Sequence, residues 1–253
     1  MSDILWQSVF NAAGKIFRTG CDSVLQSSVF FVSLDNMAGL YFHIPFCKRV
    51  CAYCDFYKSV DLRRMGPLLE SMHRELAARR EYLGGEPVRT RYFGGGTPAV
   101  LGTRRLTALL DALAARFSID TDAEVTLELN PNSLGCADLA ALRAAGFNRL
   151  SIGLQSALPQ GLAALGRTHT AEDFLRCVDS ARKAGFSNLS ADMIFAVPGL
   201  SANENLATAA FLADCGLEHI SAYELSYEAG TPLTRALEAG RIPAPGDEEA
   251  GEL

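Results

Sequence analysis

From about residue 37 onward the chain alternates two hydrophobic periods with some regularity. Short, densely apolar runs at Gly39–Ile44, Arg89–Phe93, Glu124–Leu129, Arg149–Leu154, Leu189–Phe195 and His219–Leu225 read as largely buried strands. Between them, apolar residues recur at helical spacing over Leu62–Tyr82, Thr103–Phe117, Ala137–Ala145, Ala171–Ala184 and Ala202–Cys215. Gly146, Gly185 and Gly216 stand just past three of these helices, where a C′ glycine ends a helix. Strands separated by helices of about 10–15 residues imply right-handed βαβ units and a parallel sheet. Six such units build a partial barrel or a doubly wound sheet, and periodicity does not choose between them.

The polar residues fall in a register that suits a barrel. Gly94–Thr97, Glu128, Gln155 and Asp192 lie at or near the ends or carboxyl halves of the expected strands, where barrel enzymes carry their chemistry. Directly after the first strand comes Cys47-Lys-Arg-Val-Cys51-Ala-Tyr-Cys54, three thiols at C-x₃-C-x₂-C in one short loop. Thiolates are soft ligands that suit iron–sulfur clusters or zinc. A structural zinc site wants four protein ligands, commonly from two paired knuckles, and no second knuckle accompanies this loop. Three thiolates point instead to a [4Fe-4S] cluster with one iron open to a small molecule. The segment Gly94-Gly-Gly-Thr-Pro98 follows a strand, and glycines there allow a backbone to approach a ligand; the plainer reading is a strand-to-helix turn. No Gly-Lys-Ser/Thr follows, so it is not a phosphate-binding P-loop.

Composition narrows the function class. The chain has 253 residues, 49% of them hydrophobic, enough for one large α/β barrel domain. A net charge of −6 offers no electrostatic footprint for nucleic acid. Seven cysteines, an odd number, argue against a secreted disulfide framework. Cys21, Cys136, Cys177 and Cys215 read as small buried hydrophobes. No apolar run reaches the ~18–20 residues of a membrane span, and Val24–Leu34 is short and interrupted. It also lacks the basic flank and cleavage site of a signal peptide. A cytoplasmic, reducing location is expected.

The cysteine loop, with Tyr53 before its last thiol, resembles the signature of the radical S-adenosylmethionine (SAM) superfamily. The string Tyr41-Phe-His-Ile-Pro-Phe-Cys47 through Cys54-Asp-Phe56 resembles one branch, the oxygen-independent coproporphyrinogen III oxidases and their haem-chaperone relatives of the HemW type. The likeness continues through Glu128-Leu-Asn-Pro131, Arg149-Leu-Ser-Ile-Gly-Leu-Gln155, Leu165-Gly-Arg-Thr-His169, Asp192-Met-Ile-Phe-Ala-Val-Pro-Gly199 and His219-Ile-Ser-Ala-Tyr223.

That resemblance implies a partial (β/α)₆ barrel. It implies a [4Fe-4S] cluster on Cys47, Cys51 and Cys54, with SAM on the open iron. When reduced, such a cluster cleaves SAM to methionine and a 5′-deoxyadenosyl radical. The cofactor contacts it suggests are Tyr41, Tyr53, Gly95, Gly96, Thr97, Glu128, Gln155, Arg167, Asp192 and Ser226. Glu128 is expected on the ribose hydroxyls, and the Gly94–Thr97 loop on the methionine amino group. Plain alternatives stand beside these roles: a solvated carboxylate for Glu128, a surface charge for Arg167, ordinary aromatic packing for Tyr41 and Tyr53. His43 and His169 read as hydrogen-bonded structural residues.

The oxidases carry a further cysteine two residues past the third; this chain has Phe56 there, which favours the chaperone branch over anaerobic oxidative decarboxylation of coproporphyrinogen III, with a truncated, inactive barrel as the third reading. Implied small molecules are SAM and haem or a porphyrinogen, with a reductant protein and a haem acceptor as partners. Residues 1–36 are expected to be an extension with little packed structure, and 37–237 the core. The acidic, Gly/Pro-rich stretch 238–253 is expected to lead towards a C-terminal domain found in relatives and missing here.

Overall fold

In a computed structural model the described residues are 29–34 and 37–242. Seven strands form one sheet in sequential order: β1 (Val29–Leu34), β2 (Met37–Ile44), β3 (Val88–Gly95), β4 (Ile119–Leu129), β5 (Arg149–Gln155), β6 (Asn188–Phe195) and β7 (His219–Glu224). From β2 to β7 every neighbouring pair is parallel. A doubly wound sheet reverses its strand order at a switch point. Here the order never reverses, so the chain winds one way, as a partial (β/α)₆ barrel does.

Helices follow the strands: α1 (Met65–Ala78), α2 (Thr103–Ala114), α3 (Cys136–Ala144), α4 (Pro159–Ala164), α5 (Ala171–Lys183), α6 (Ala202–Asp214) and α7 (Pro232–Glu238). The six expected strands and five expected helices are present, with the first helix shortened and preceded by a 3₁₀ turn at Leu62–Arg64. Gly146, Gly185 and Gly216 all carry positive φ just past α3, α5 and α6. α5 and α6 start on capping boxes, Thr170 with Asp173 and Ser201 with Glu204. The short α4 and α7 were not expected, because neither is long enough to show a helical period.

β1 corrects the expectation for the N-terminal region. Residues 1–28, 35 and 36 lie outside the described residues, as do 243–253 of the expected linker. Val29–Leu34, however, pairs antiparallel with β2, from Val29 opposite Phe42 to Leu34 opposite Met37. Val29 is fully buried and its N–H donates to Glu75 of α1.

The sheet's two faces differ in chemistry. Leu40, Phe42 and Ile44 of β2 join the core beneath the helices, where Phe42 stacks on Phe93 at 4.6 Å and Phe93 meets Phe147 at 5.3 Å. Each fully buried side chain of that size contributes about 2 kcal/mol. Their strand neighbours of opposite parity, Tyr41, His43, Tyr92, Thr126, Glu128, Arg149, Ser151, Ser190 and Asp192, hydrogen-bond among themselves or lie within one another's fields. Barrel interiors are usually filled by branched apolar residues; this one is a polar well. Among the other cysteines, Cys177 is buried as expected, Cys215 is half-buried with its thiol on Phe211 O, and Cys136 is exposed, contrary to expectation. Cys21 lies outside the described residues.

Candidate metal and cofactor site

The loop between β2 and α1 carries the three thiols, and backbone hydrogen bonds close it at its base and middle. Cys47 N donates to Ser59 O (3.0 Å) and Ser59 N to Pro45 O (2.7 Å). Midway, Ala52 N donates to Leu165 O at the end of α4 (3.1 Å), and Leu233 N of α7 donates to Ala52 O (2.9 Å). Ala52 and Tyr53 pack on a separate apolar cluster of Leu165, Ile194, Val197, Leu200, Leu225 and Leu233. His43 ties the loop to the well, Nε2 donating to Tyr57 O (3.1 Å) and Nδ1 accepting from Tyr41 Oη (3.3 Å). Burial holds its pKa down, so it is neutral and structural, as expected. His169 likewise donates to Leu154 O (2.9 Å), with its pKa lowered first by burial.

Cys47, Cys51 and Cys54 are half-buried free thiols. Burial pushes the Cys47 and Cys54 thiols up; Lys58 acts against it at both, and the Thr97 hydrogen bond and Arg167 also act at Cys47. Thr97 Oγ1 donates to Cys47 Sγ (3.7 Å), Arg167 Nη1 to Cys51 Sγ (3.4 Å), and Lys58 Nζ to Cys54 O. Metal-binding thiols must lose their protons, and at Cys47 and Cys54 the neighbouring cations and donors favour that.

Arg167, expected as a ligand contact, is also a hub. Its Nη2 donates to Asn130 Oδ1 and to Gly153 O, both at 2.7 Å. Asn130 Nδ2 in turn donates to Thr97 Oγ1 (3.2 Å). Among the described residues the buried Arg167 Nε has no hydrogen-bond partner. A buried donor of this kind, on a side chain that also donates to Cys51 Sγ, fits an acceptor group of a bound ligand.

The Gly94–Thr97 segment, expected at the methionine amino group, is held tightly by the protein's own contacts. A Cβ at Gly94 would stand 2.7 Å from Glu128 Oε1, at Gly95 2.7 Å from the His43 ring, and at Gly96 2.8 Å from Phe46 O. The glycines are therefore required by the protein's own close packing. Their N–H groups are committed as well: Gly95 N to Glu128 Oε2 (3.1 Å), Gly96 N to Ile44 O and Thr97 N to Phe46 O (both 2.8 Å).

Glu128 is half-buried in the well, accepting from Tyr92 Oη (2.8 Å) and Gly95 N. Burial and the nearby Asp192 raise its pKa to about 7. Asp192 accepts from Ser151 Oγ (3.2 Å), and burial raises its pKa too. Gln155 ends β5 at φ +72°, a strained conformation for a residue with a side chain. Tyr41 is buried, stacks on Tyr92 (5.8 Å) and hydrogen-bonds His43. Tyr53 is half-buried at the loop's apolar seat, and burial raises its phenol pKa. Ser226 is exposed beyond β7 and is not drawn into this group.

Residues 41–212 match the radical SAM superfamily. The chain belongs to that superfamily. Relatives include the heme chaperone HemW of Mycobacterium tuberculosis, 38% identical over 83% of this chain and 55% of the relative. A second is the bovine mitochondrial radical S-adenosyl methionine domain-containing protein 1, 38% identical over 85% of this chain and 49% of the relative. Among solved structures, Escherichia coli coproporphyrinogen III oxidase (HemN), a radical SAM enzyme, superposes at TM-score 0.75 with 26% identity, covering 83% of this chain and 49% of that one. The chain spans about half the length of these relatives.

Radical SAM membership implies a [4Fe-4S] cluster and SAM. The loop fits them. Three half-buried thiols in one loop, met by the Thr97 hydroxyl and the Arg167 guanidinium, supply the soft donors such a cluster takes. Sequence reading missed Asn130, Lys58, Tyr92 and Arg149. Asn130 and Arg149 stood inside quoted motifs, but Lys58 and Tyr92 gave no signal before folding.

Proposed function

We propose that this chain is the cluster- and SAM-binding barrel of a HemW-type haem chaperone, a radical SAM protein of porphyrin metabolism. The observation carrying this reading is the cysteine loop fastened over a polar well, with Arg167 bridging Cys51 to Asn130 and Gly153. The 38% identity to a named haem chaperone supports the branch. Cys47, Cys51 and Cys54 would hold three irons. With the N–H groups of Gly95, Gly96 and Thr97 already committed, this segment would meet a ligand through carbonyl lone pairs, which suit a donor such as an ammonium group. Glu128 and Asp192 present acceptors for hydroxyls, and Arg167 Nε a donor for a carboxylate. When bound, the reduced cluster with SAM supplies an electron for carbon–sulfur cleavage; the protein's own part is placement and exclusion of water.

Haem is the proposed cargo, a reductant protein and a haem acceptor the proposed partners, and a reducing compartment such as the cytoplasm the proposed location. Among the described residues no helix is long and apolar enough to cross a membrane. The second reading is anaerobic oxidative decarboxylation of coproporphyrinogen III, favoured by the likeness to the E. coli oxidase. Phe56, 49% exposed where that reading wants a cysteine, weighs against it.

The test is anaerobic cluster reconstitution followed by EPR of the reduced protein with and without SAM, haem titration, and product analysis with coproporphyrinogen III. A signal that shifts with SAM, saturable haem binding and no decarboxylated product are expected. A signal indifferent to SAM, or porphyrinogen turnover without haem binding, would overturn the chaperone reading.

A further inference from the structure

The two carboxyl groups of the well are not equivalent: among the described hydrogen bonds, a directed chain of donors from a cation ends on Asp192. Arg149 opens β5, 8% exposed, and a guanidinium can donate but not accept. It donates to Thr126 Oγ1 (3.4 Å) and Ser190 Oγ (3.1 Å). Having accepted there, Ser190 passes its own hydrogen to Ser151 Oγ (3.1 Å); the alternative acceptor, Leu150 O, lies further off at 3.4 Å. Ser151 then donates to Asp192 Oδ1 (3.2 Å). Asp192 thus terminates a run of aligned dipoles that begins on a cation. Glu128, two strands over on β4, is served by a phenol and a backbone N–H instead, and Arg149 acts on it through its field.

We propose that Arg149 is a positioning residue which, through Ser190 and Ser151, fixes Asp192 as the standing anion of the pair and leaves Glu128 as the member that exchanges a proton. Groups facing Asp192 come from every side: Arg149 and Ser151 from β5, Glu128 from β4, Tyr92 from β3, Ser221 from β7, Tyr53 from the cysteine loop and Arg167 beyond α4. The two arginines and two serines favour the anion, while Glu128 and burial oppose it. Two carboxylates flanking β5 from β4 and β6 cannot both ionise cheaply in a partly enclosed well. The donor chain decides which one yields. Its effect on cofactor affinity rests on the proposed reading of Asp192 and Glu128 as ligand contacts; the assignment of the proton does not.

The test uses the cofactor-free chain with ¹³C-labelled Asp and Glu carboxyls, titrated by NMR, with Asp192→Asn and Glu128→Gln to assign the two signals. In the wild type Asp192 should titrate below Glu128. Arg149→Met and Ser190→Ala should each raise the Asp192 midpoint by about one pH unit, and Arg149→Lys should largely restore it. Ser190→Ala, a small change, keeps the test alive if Arg149→Met does not fold. An Asp192 midpoint unmoved in the foldable variants, or one above Glu128 in the wild type, overturns the proposal. SAM calorimetry on the reconstituted protein separates the two claims. A shifted titration with unchanged SAM affinity supports the Arg149 assignment while refuting the ligand role of Asp192.

Discussion

Replacing Glu128 by Gln should change how stability depends on pH more than it changes stability itself. The carboxyl ordinarily titrates near 4.5 and is raised to about 7 by burial and by Asp192. Between those values the folded chain holds a proton that the unfolded chain has released. Stability from this group is therefore complete at low pH and lost as pH rises towards 7. Each pH unit across that window costs about 1.4 kcal/mol, so the wild type should lose about 2 kcal/mol between pH 5.5 and 7 from this site. Gln cannot titrate. It leaves either Tyr92 Oη or Gly95 N without its acceptor, a cost of about 1–2 kcal/mol that does not vary with pH. Urea denaturation of both chains at pH 5.5, 6.5 and 8 gives the double difference, in which His43, His169 and other groups not coupled to Glu128 cancel. The mutant should gain about 2 kcal/mol on the wild type from pH 5.5 to 8. Parallel stability profiles would refute the reasoning, placing Glu128 at an ordinary carboxylate pKa and removing the tension with Asp192.

Arg167→Met should destabilise the chain by about 3 kcal/mol, because Asn130 Oδ1 and Gly153 O both lose their donor; iron and sulfide content after reconstitution should fall with it. Gly96→Ala forces a Cβ to 2.8–2.9 Å from Phe46 O and Ile44 O, backbone atoms that Gly96 and Thr97 themselves hold, and should cost about 2–3 kcal/mol by denaturant titration. Gln155→Gly removes roughly 1 kcal/mol of backbone strain at φ +72°, so the melting temperature should hold or rise while SAM affinity measured by calorimetry falls. Cys54→Ser should abolish the cluster's visible absorbance and EPR signal while leaving the far-UV circular dichroism unchanged.

The strand–helix alternation was legible because each element carries its own period. β2 buries Leu40, Phe42 and Ile44 on one face, and α5 buries Phe174, Cys177, Val178 and Ala181 along one stripe. The cysteine spacing was equally local, since three thiols in eight residues constrain one another before any fold forms. The strand-end position of Glu128 and Gln155 followed from strand boundaries alone. β1 was hidden: its short apolar run has no period to distinguish it from a tail, and pairing with β2 is what makes it a strand.

What the sequence determined by itself is therefore everything written in short-range pattern: the elements, their order, the metal-binding loop and the strand ends that carry polar residues. What only the tertiary structure decided is everything that depends on distance across the sheet. Choosing a one-way barrel over a doubly wound sheet required the strand order. The glycines of 94–96 proved necessary to the protein's own packing, because His43, Glu128 and the Ile44–Phe46 backbone arrive there from other strands. Arg167 reaches Cys51 across 116 residues of chain, and Arg149 is linked to Asp192 through two serines on adjacent strands. Hydrogen bonds and desolvation act over a few ångströms of space, and no local period in the chain encodes which distant residues will share it.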